Sequence, residues 1–159
     1  SDGKPSSRIV LLKSFNNQGF VFYTNSNSKK GRAIENNINV ALNFHWKSLQ
    51  KQIRVEGTVS IIEKNIADKY YNSRPLGSRI GAWASMQSDE LDDRSSLLNR
   101  VENYEKKFKK VNIYRPSHWN GYLVVPNLIE FWQDMPFRLH DRVEFRKEED
   151  KWVSRKLYP

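Results

Sequence analysis

The stretch Ile53-Arg54-Val55-Glu56-Gly57-Thr58-Val59-Ser60-Ile61 places apolar or small residues at every second position. A period of two is typical of a β-strand with one buried face, because successive side chains point to opposite sides of a sheet. The segment before it has the same period, with Val40, Leu42, Phe44 and Trp46 alternating with polar or small residues. We therefore expect two half-buried strands here, and the remaining elements extend outward from them.

Further strands are predicted on both sides of this pair. The sequence predicts strands at 8–13, 20–24, 121–125, 128–133, 142–147 and 152–157, and helices at 29–36, 66–73, 78–85 and 95–109. The turn Asn16-Asn17-Gln18-Gly19 predicts that the first two strands form a hairpin. Because strands and helices do not alternate as βαβ units, the expected class is α+β, a mostly antiparallel β-barrel with flanking helices. With no repeat or linker, residues 1–159 are expected to form a single domain.

The beginning of the chain carries a separate signal. Asp2-Gly3 is a strong hairpin-turn dipeptide, but no strand precedes it in this sequence. We expect that a strand, and further residues of the same fold, belong ahead of this chain.

Composition limits the function classes. The 159 residues include no cysteine, which excludes disulfides, thiolate metal sites and cysteine nucleophiles and favours a reducing cytoplasm. No apolar run approaches the roughly 20 residues of a membrane-spanning helix. The formal charge of +9 favours an acidic partner, such as a nucleic acid, an anionic membrane or a small phosphorylated ligand. Composition alone does not choose among them.

A first candidate site combines the basic ends of segment 8–13 with two lysines. Lys29 and Lys30 follow Ser28, a predicted N-cap, so they lie at a helix N-terminus that already favours anions. Lysines there oppose the helix dipole unless an anion is bound, so a phosphate site is one interpretation. A solvated basic face is the other.

A second candidate contains Tyr70, Arg74 and Ser78. Tyr70 and Arg74 are four residues apart and are expected on one helix face, with Ser78 opening the next helix. Such a group could grip a second phosphate. Taken alone, the pattern favours the simpler interpretation, in which Tyr70 is a core residue and Arg74 a surface residue near a helix end.

A third candidate is the stretch Arg138-Leu139-His140-Asp141-Arg142, which follows Glu130-Phe131-Trp132-Gln133. If it is extended, Arg138, His140 and Arg142 point the same way. Three cationic or potentially cationic groups on one face repel one another without an anion, so a ligand role is favoured here.

In order and spacing, these segments resemble the successive signature blocks of the pyridoxamine 5′-phosphate oxidase family, from residue 8 to residue 159. The closing Leu157-Tyr158-Pro159 is similar to the family's Leu-Ala-Pro ending. Two positions depart from the family pattern. Asn120 replaces the first glycine of Trp-Gly-Gly, and Asn is the mildest substitute if that position needs positive φ. Lys29 stands where arginine is common, which exchanges a bidentate contact for a point charge.

The resemblance implies a split barrel that binds FMN at the interface of a homodimer. The implied FMN residues are Arg8, Ile9, Leu11, Lys13, Tyr23, Thr24, Lys29, Lys30, Gln52, Gln87, Ser88, Trp132 and Arg142. The implied grip on the substrate phosphate consists of Lys13, Tyr70, Arg74 and Ser78. Arg138 and His140 would contact the pyridine ring and orient its C4′ toward the flavin. No metal is implied, and neither a nucleic acid nor a membrane is an expected partner.

The reaction that the resemblance implies is the oxidation of pyridoxamine or pyridoxine 5′-phosphate to pyridoxal 5′-phosphate. A hydride would pass to FMN, and O2 would reoxidise the flavin and yield H2O2. Three alternatives stay open: a flavin oxidase of phenazine biosynthesis, a split barrel that binds haem or a deazaflavin, and a nucleic-acid-binding barrel with aromatic platforms. The Tyr70, Arg74 and Ser78 group favours a phosphorylated substrate.

Overall fold

The computed structural model describes residues 4–159, which form seven strands, four α-helices and two short 3-10 turns. The strands are β1 (Ser14–Asn16), β2 (Gly19–Asn25), β3 (Asn39–Trp46), β4 (Lys51–Ile61), β5 (Trp119–Gln133), β6 (Asp141–Glu148) and β7 (Lys151–Lys156). The helices are α1 (Lys29–Asn36), α2 (Lys64–Ser73), α3 (Leu76–Ala84) and α4 (Arg94–Phe108), and the 3-10 turns are Lys47–Leu49 and Pro136–Arg138.

The long strand β5 organises the sheet. One of its edges pairs with β4 along most of its length, and β4 pairs in turn with β3. Its other edge pairs first with β2, from Trp119 to Val124, and then with β6, from Leu128 to Gln133. Each of these pairings is antiparallel. The predicted α+β class with a mostly antiparallel sheet is therefore confirmed.

A β-bulge bends the centre of this sheet. The register between β4 and β5 shifts between Glu56 and Gly57, so that Glu56 pairs with Leu128 and Gly57 with Pro126. A Cβ atom at Gly57 would lie 2.1 Å from the Val125 carbonyl oxygen, so only glycine fits this approach of the two backbones. Bulges raise the local twist and bend the strand that carries them.

The hydrophobic core lies on one face of the sheet. Phe22, Val59, Tyr122 and Val124 form its buried cluster, and the Phe22 and Tyr122 rings stack with centroids 5.5 Å apart. The apolar residues that pack around this cluster are Val10, Phe20, Ile34, Val40 and Leu42. Burial of Val55 and Val59 beside exposed Thr58 and Ser60 confirms the alternation that predicted β4.

The predicted strand at 8–13 is wrong. These residues have no regular secondary structure, and the first strand of the hairpin is the three-residue β1. Lys13 N–H still donates to Val21 O at 2.9 Å, which continues the hairpin ladder by one bond. The Ile9 side chain is 95% exposed while Val10 packs against the core, so within residues 4–159 the apolar pattern that suggested a strand is covered only in part. The expected Asp2-Gly3 turn lies outside the described residues.

Two other predicted boundaries also differ. Segments 121–125 and 128–133 were expected as separate strands, but β5 runs through both because Pro126 lies at the bulge, where its missing N–H is tolerated. Helix α3 begins at Leu76, directly after Pro75, so Ser78 is its third residue and does not open it.

Membrane-spanning helices and metal-binding clusters are both absent from residues 4–159. No helix there combines the length and apolar content needed to cross a membrane. The same residues contain no group of three or more His, Asp or Glu arranged to hold a metal ion.

Candidate active site

The two lysines of the first predicted site lie in the first turn of α1. Ser28 has extended backbone angles, and its hydroxyl accepts from Gly31 N–H at 3.2 Å and donates to Asn25 O at 2.7 Å. This cap confirms the predicted helix start. The first turn contains no acidic residue, so its free N–H groups and the lysines together produce a positive end.

Arg8 approaches this positive end from the irregular segment before β1. Burial lowers the pKa of the Lys30 ammonium, and the nearby positive charge of Arg8 lowers it further. Two cations held close together favour an anion between them, since it would stabilise the charged form of both.

A large open cavity extends from this positive end across the face of the sheet. Its volume is about 1090 Å³. Five of the residues assigned to FMN by resemblance line it: Arg8, Ile9, Lys29, Lys30 and Gln52. Its far wall is apolar and includes Phe20, Val40, Leu42 and Phe44. The cavity thus combines a cationic end with an apolar surface.

A second cavity of about 540 Å³ adjoins the first, with Ile9, Val10 and Lys30 lining both. It contains the complete set predicted to grip the substrate phosphate, namely Lys13, Tyr70, Arg74 and Ser78. It also contains Leu11, Tyr23, Thr24 and Gln87 from the predicted FMN set. Residues far apart in sequence are therefore brought together around two adjacent cavities.

Two buried polar atoms of this second cavity have no hydrogen-bond partner within the described part of the chain. They are Thr24 Oγ1 and Arg74 Nη1. Buried polar groups are nearly always paired, so an unpaired pair beside a cavity indicates a polar ligand there. Burial also lowers the pKa of Arg74, while the phenols of Tyr70 and Tyr71 act in the opposite direction.

The spacing of Tyr70 and Arg74 predicted that the two residues share a helix face, and this prediction is wrong. Helix α2 ends at Ser73, and Arg74 is its extended C-cap with φ −76° and ψ 150°. Pro75 explains this, because a residue before proline is driven out of the helical region. Tyr70 and Arg74 meet in the cavity by this change of direction and not by helical periodicity.

Residues 136–140 do not form a strand and β6 begins only at Asp141, so the alternation expected for Arg138, His140 and Arg142 is wrong. Pro136–Arg138 forms a 3-10 turn, with Phe137 at φ 60° and Arg138 at φ 62°. Left-handed backbone is uncommon for residues other than glycine and costs on the order of 1 kcal/mol or more per residue. Such strain concentrates at functional sites.

Each of the three residues has its own surroundings instead. The Arg138 side chain is exposed. His140 Nδ1 lies 3.2 Å from Met135 N and 3.0 Å from Asp134 Oδ1, and its ring is 4.7 Å from that of Trp132. Arg142 pairs with the buried Glu130. None of Trp132, Arg138, His140 and Arg142 lines either of the two cavities, and neither does Ser88, whose φ is 77°.

The sequence did not single out three residues that support the site. Trp119 lines the second cavity, and the Arg74 guanidinium lies 4.7 Å from its ring centroid. Arg115 connects α2 to the start of β5, and Glu130 accepts hydrogen bonds from both Arg54 and Arg142. The sequence signal that could have identified Glu130 is a glutamate within a predicted strand, with an arginine in each of two other predicted strands that could pair beside it. The contacts of Trp119 and Arg115 depend on tertiary structure alone.

Family models match most of the chain. Residues 1–108 match the model described as pyridoxamine 5′-phosphate oxidase. Residues 119–159 match the model described as the pyridoxine 5′-phosphate oxidase C-terminal dimerisation region. This second match contains Trp132, Arg138, His140 and Arg142, the group that lies apart from the cavities.

Individual proteins agree with these matches. A protein from Mesorhizobium japonicum named pyridoxine/pyridoxamine 5′-phosphate oxidase is 50% identical over 160 aligned positions, covering 100% of this chain and 78% of its own. The crystal structure of PhzG from Burkholderia lata 383 in complex with tetrahydrophenazine-1-carboxylic acid superposes with a TM-score of 0.93 at 31% identity, over 100% of this chain and 78% of PhzG. A pyridoxamine 5′-phosphate oxidase-related, FMN-binding protein from Nostoc punctiforme PCC 73102 shares the fold, with a TM-score of 0.77 at 13% identity over 99% of this chain and 83% of that one.

Proposed function

The chain belongs to the pyridoxamine 5′-phosphate oxidase family, and on that premise we propose that it uses FMN and O2 to oxidise pyridoxamine or pyridoxine 5′-phosphate, with H2O2 as the second product. The observation that carries the proposal is the pair of adjacent cavities, one lined by Arg8 and Lys29, the other by Lys13 and Arg74, with Lys30 lining both. FMN and the substrate each bring one phosphate. Two separate phosphate grips match that requirement.

The residues around the first grip fit FMN. Arg8, Lys29 and Lys30 would hold its phosphate beside the α1 N-terminus, and an anion there would offset the burial and the Arg8 charge that lower the pKa of Lys30. The unpaired Thr24 Oγ1 offers a buried hydrogen-bonding group to the cofactor, which accounts for its lack of a protein partner. When bound, FMN supplies the hydride acceptor and the route of electrons to O2.

The second grip fits the substrate phosphate. Lys13 and Arg74 supply charge, while Tyr70 and Ser78 supply hydroxyl groups on the same cavity wall. Arg74 has no carboxylate partner among residues 4–159 within ion-pair distance, so its charge remains available for an anion. Binding the phosphate here fixes the distance from the grip to the reacting carbon, which is the positioning part of catalysis.

His140 and Arg138 are proposed to orient the pyridine ring. The contacts of His140 Nδ1 with Met135 N and Asp134 Oδ1 hold the imidazole, and its face lies against Trp132. The ring is therefore fixed at one nitrogen, which leaves the other to face a ligand. Arg138 has left-handed backbone at the end of the 3-10 turn Pro136–Arg138, and its side chain is exposed and so accessible to a ligand.

We further propose a homodimer in which each FMN contacts both chains. The dimerisation region 119–159 contains Trp132, Arg138, His140 and Arg142, which are separate from the cavities of their own chain. A second chain that presents this group to the cavities would complete the site. The exposed apolar side chains Ile9, Leu11, Phe137 and Leu139 support such an interface, since a water-exposed apolar surface of this extent favours association. A cytoplasmic location stays a prediction, from the absence of cysteine.

A second candidate function is suggested by the likeness to PhzG. That protein is bound to a tricyclic carboxylic acid, and the two chains superpose closely. A substrate of that kind carries a carboxylate in place of a phosphate, so its turnover would not depend on a 5′-phosphate. The choice therefore depends on whether turnover requires a substrate phosphate.

The test is a coupled assay of H2O2 with FMN-loaded protein and four substrates: pyridoxine and pyridoxamine, each with and without the 5′-phosphate. We expect turnover of the phosphorylated pair, with a kcat/KM at least 100-fold higher than for the free vitamins, because a charged phosphate contact contributes about 3 kcal/mol. Arg138→Ala should retain FMN and lose most of this turnover, whereas Lys147→Ala, an exposed change on β6, should leave it intact. Equal activity with and without the phosphate would contradict the proposal.

A further inference from the structure

Three aromatic rings from different elements form a cluster beside the second cavity. The ring centroids of Tyr70 on α2 and Tyr23 on β2 are 4.1 Å apart, those of Tyr23 and Trp119 on β5 are 5.0 Å apart, and those of Tyr70 and Trp119 are 6.0 Å apart. Each ring belongs to a residue that lines the cavity. The mutually packed cluster therefore forms part of the wall of the space assigned to the substrate phosphate.

Arg74 lies on this wall. Its guanidinium carbon is 4.7 Å from the Trp119 ring centroid, within the range of a cation–π contact. The Trp119 side chain is only 7% exposed, so its position is fixed by packing. The guanidinium carbon also lies 5.9 Å from the Tyr71 ring centroid, and Nη1 of Arg74 is buried with no hydrogen-bond partner among the described residues. Within residues 4–159 no ion pair involves Arg74, so its charge is not neutralised there.

Arg115 fixes Trp119 in turn. Its Nε donates to Asp68 Oδ1 at 2.6 Å, and its Nη1 donates to Trp119 O at 2.7 Å and to Asn120 Oδ1 at 3.1 Å. The Arg115 side chain is 9% exposed, whereas its Asp68 partner is 51% exposed. Arg115 thus ties the helix that carries Tyr70 to the strand that carries Trp119.

Asn120 takes part in the hydrogen bonds of the Arg115 side chain. It is not among the residues with positive φ, so its side chain causes no backbone strain at a position where the family has glycine. Instead, Asn120 accepts from Arg115, and its Nδ2 donates to Ser117 O at 3.2 Å. The departure from the family pattern adds a polar contact to the Arg115 side chain.

We propose that Trp119, held by Arg115, is a positioning residue that sets the Arg74 guanidinium for the phosphoryl group of the substrate, and so makes the site select phosphorylated ligands. The proposal rests on the function proposed above and extends it to a residue outside the predicted site. Trp119 lines the cavity but is assigned no contact with the reacting carbon or the phosphate. It acts by holding the face of Arg74 so that the free edge meets the phosphate oxygens in one geometry.

The test compares Trp119→Leu, which removes the aromatic face, with Trp119→Phe, which retains part of it. In FMN-loaded protein we expect Trp119→Leu to raise KM for pyridoxine 5′-phosphate about 10-fold to 30-fold, from a cation–π contact of up to about 2 kcal/mol. The kcat/KM for unphosphorylated pyridoxine should change less than about 3-fold, and Trp119→Phe should recover part of the loss. Unchanged KM in Trp119→Leu, or an equal loss for both substrates, would overturn the proposal.

A binding measurement makes the result independent of turnover. The Kd of inorganic phosphate for the FMN-loaded protein, measured by calorimetry, should rise about 10-fold in Trp119→Leu and stay unchanged in Lys147→Ala. If Trp119→Leu does not fold, Arg115→Lys serves instead, since it keeps the charge opposite Asp68 but loses the bond to Trp119 O. It should weaken phosphate binding in the same direction, and normal phosphate binding in this variant would overturn the proposal.

Arg74→Met separates the failure of this inference from the failure of the proposed function. If Arg74→Met loses phosphate selectivity and Trp119→Leu keeps it, the site is correct and Trp119 is not its positioning residue. If the wild-type protein turns over neither phosphorylated vitamin, yet its phosphate Kd depends on Trp119, the proposed reaction is wrong and the positioning inference stands.

Discussion

Arg142 on β6 and Glu130 on β5 form a bidentate ion pair, with Nε 3.0 Å from Oε1 and Nη2 3.1 Å from Oε2. The Glu130 side chain is only 4% exposed, and Arg54 approaches the same carboxylate from β4 at 3.2 Å. The hydrogen bonds with Glu130 raise the pKa of Arg142. Arg142 Nη1 donates to Tyr158 O at 2.9 Å, so the guanidinium is held from two sides. Glu130 therefore fixes the position of an arginine assigned to the cofactor.

The first prediction concerns this carboxylate. Glu130→Gln should lower the free energy of unfolding by about 1–3 kcal/mol, because two arginines lose a charged, buried partner. It should also weaken FMN binding, since Arg142 is no longer fixed. The stability is measured by urea unfolding, and the FMN affinity by quenching of flavin fluorescence.

Glu102→Gln is the matched control for that change. It removes a pair with Lys106, 2.7 Å apart and four residues away on α4, which is expected to contribute little to stability because both groups are exposed to water. Equal losses in the two variants would show that Glu130 has no special role.

A second prediction concerns the bulge between β4 and β5. Gly57→Ala should destabilise the protein by about 3 kcal/mol or more, because the new Cβ would lie 2.1 Å from Val125 O. Gly81→Ala in α3 is its control, since a Cβ there meets nothing within 4 Å. That change should be neutral or stabilising by up to about 1 kcal/mol. Thermal unfolding of both variants makes the comparison, and a stable Gly57→Ala would contradict the described register.

The third prediction is a pH dependence. Burial raises the pKa of Tyr71 to about 12, above its ordinary value of 10.0, although Arg74 acts in the opposite direction. Above the ordinary value the unfolded chain releases this proton while the folded chain keeps it. The contribution to stability is therefore complete below pH 10 and is lost as the pH rises toward about 12, at about 1.4 kcal/mol per pH unit.

Tyr71→Phe isolates this effect. The variant loses the hydrogen bond from the hydroxyl to Arg79 O at 2.7 Å, about 1 kcal/mol at neutral pH. In urea unfolding at pH values from about 8 to about 11, its deficit should shrink above pH 10, because only the wild type loses the Tyr71 contribution. A deficit that stays constant would show that Tyr71 titrates normally.

A fourth prediction concerns the cofactor phosphate. Lys30→Ala should weaken FMN binding about 10-fold to 100-fold, from the loss of a charged contact of about 1.5–3 kcal/mol. Riboflavin, which lacks the phosphate, should bind the variant and the wild type alike. Fluorescence titration of both flavins measures the two affinities. If riboflavin weakened as much as FMN, Lys30 would not contact the phosphate.

The sequence predicted those parts of the fold that depend on local pattern. The alternation around Val55 and Val59 identified β4, and Ser28 identified the start of α1, because burial on one face and capping both leave a local signature. Segment 8–13 has the same apolar signature, but a strand also needs a partner, and within residues 4–159 this segment has one bond to β2. Pro126 suggested a break that the bulge absorbs.

In the candidate site, too, the prediction succeeded for some residues and failed where a position depends on tertiary contacts. Lys13, Tyr70, Arg74 and Ser78 were identified by resemblance and do line one cavity, although Arg74 arrives there through the turn before Pro75 and not on the helix face. The left-handed turn at Arg138 was missed, because neither Phe137 nor Arg138 has the usual preference for positive φ. Trp119 and Arg115 were missed because cation–π and backbone contacts between distant elements have no sequence period.

The most direct test of the central claim is the visible spectrum of FMN-loaded protein, freed of excess flavin, before and after anaerobic addition of pyridoxine 5′-phosphate. We predict that the flavin absorbance bleaches with this compound, stays unchanged with unphosphorylated pyridoxine at the same concentration, and returns when O2 is admitted. Retained flavin that does not bleach with pyridoxine or pyridoxamine 5′-phosphate would contradict the assigned reaction, and a folded protein that retains no flavin would contradict the assigned cofactor.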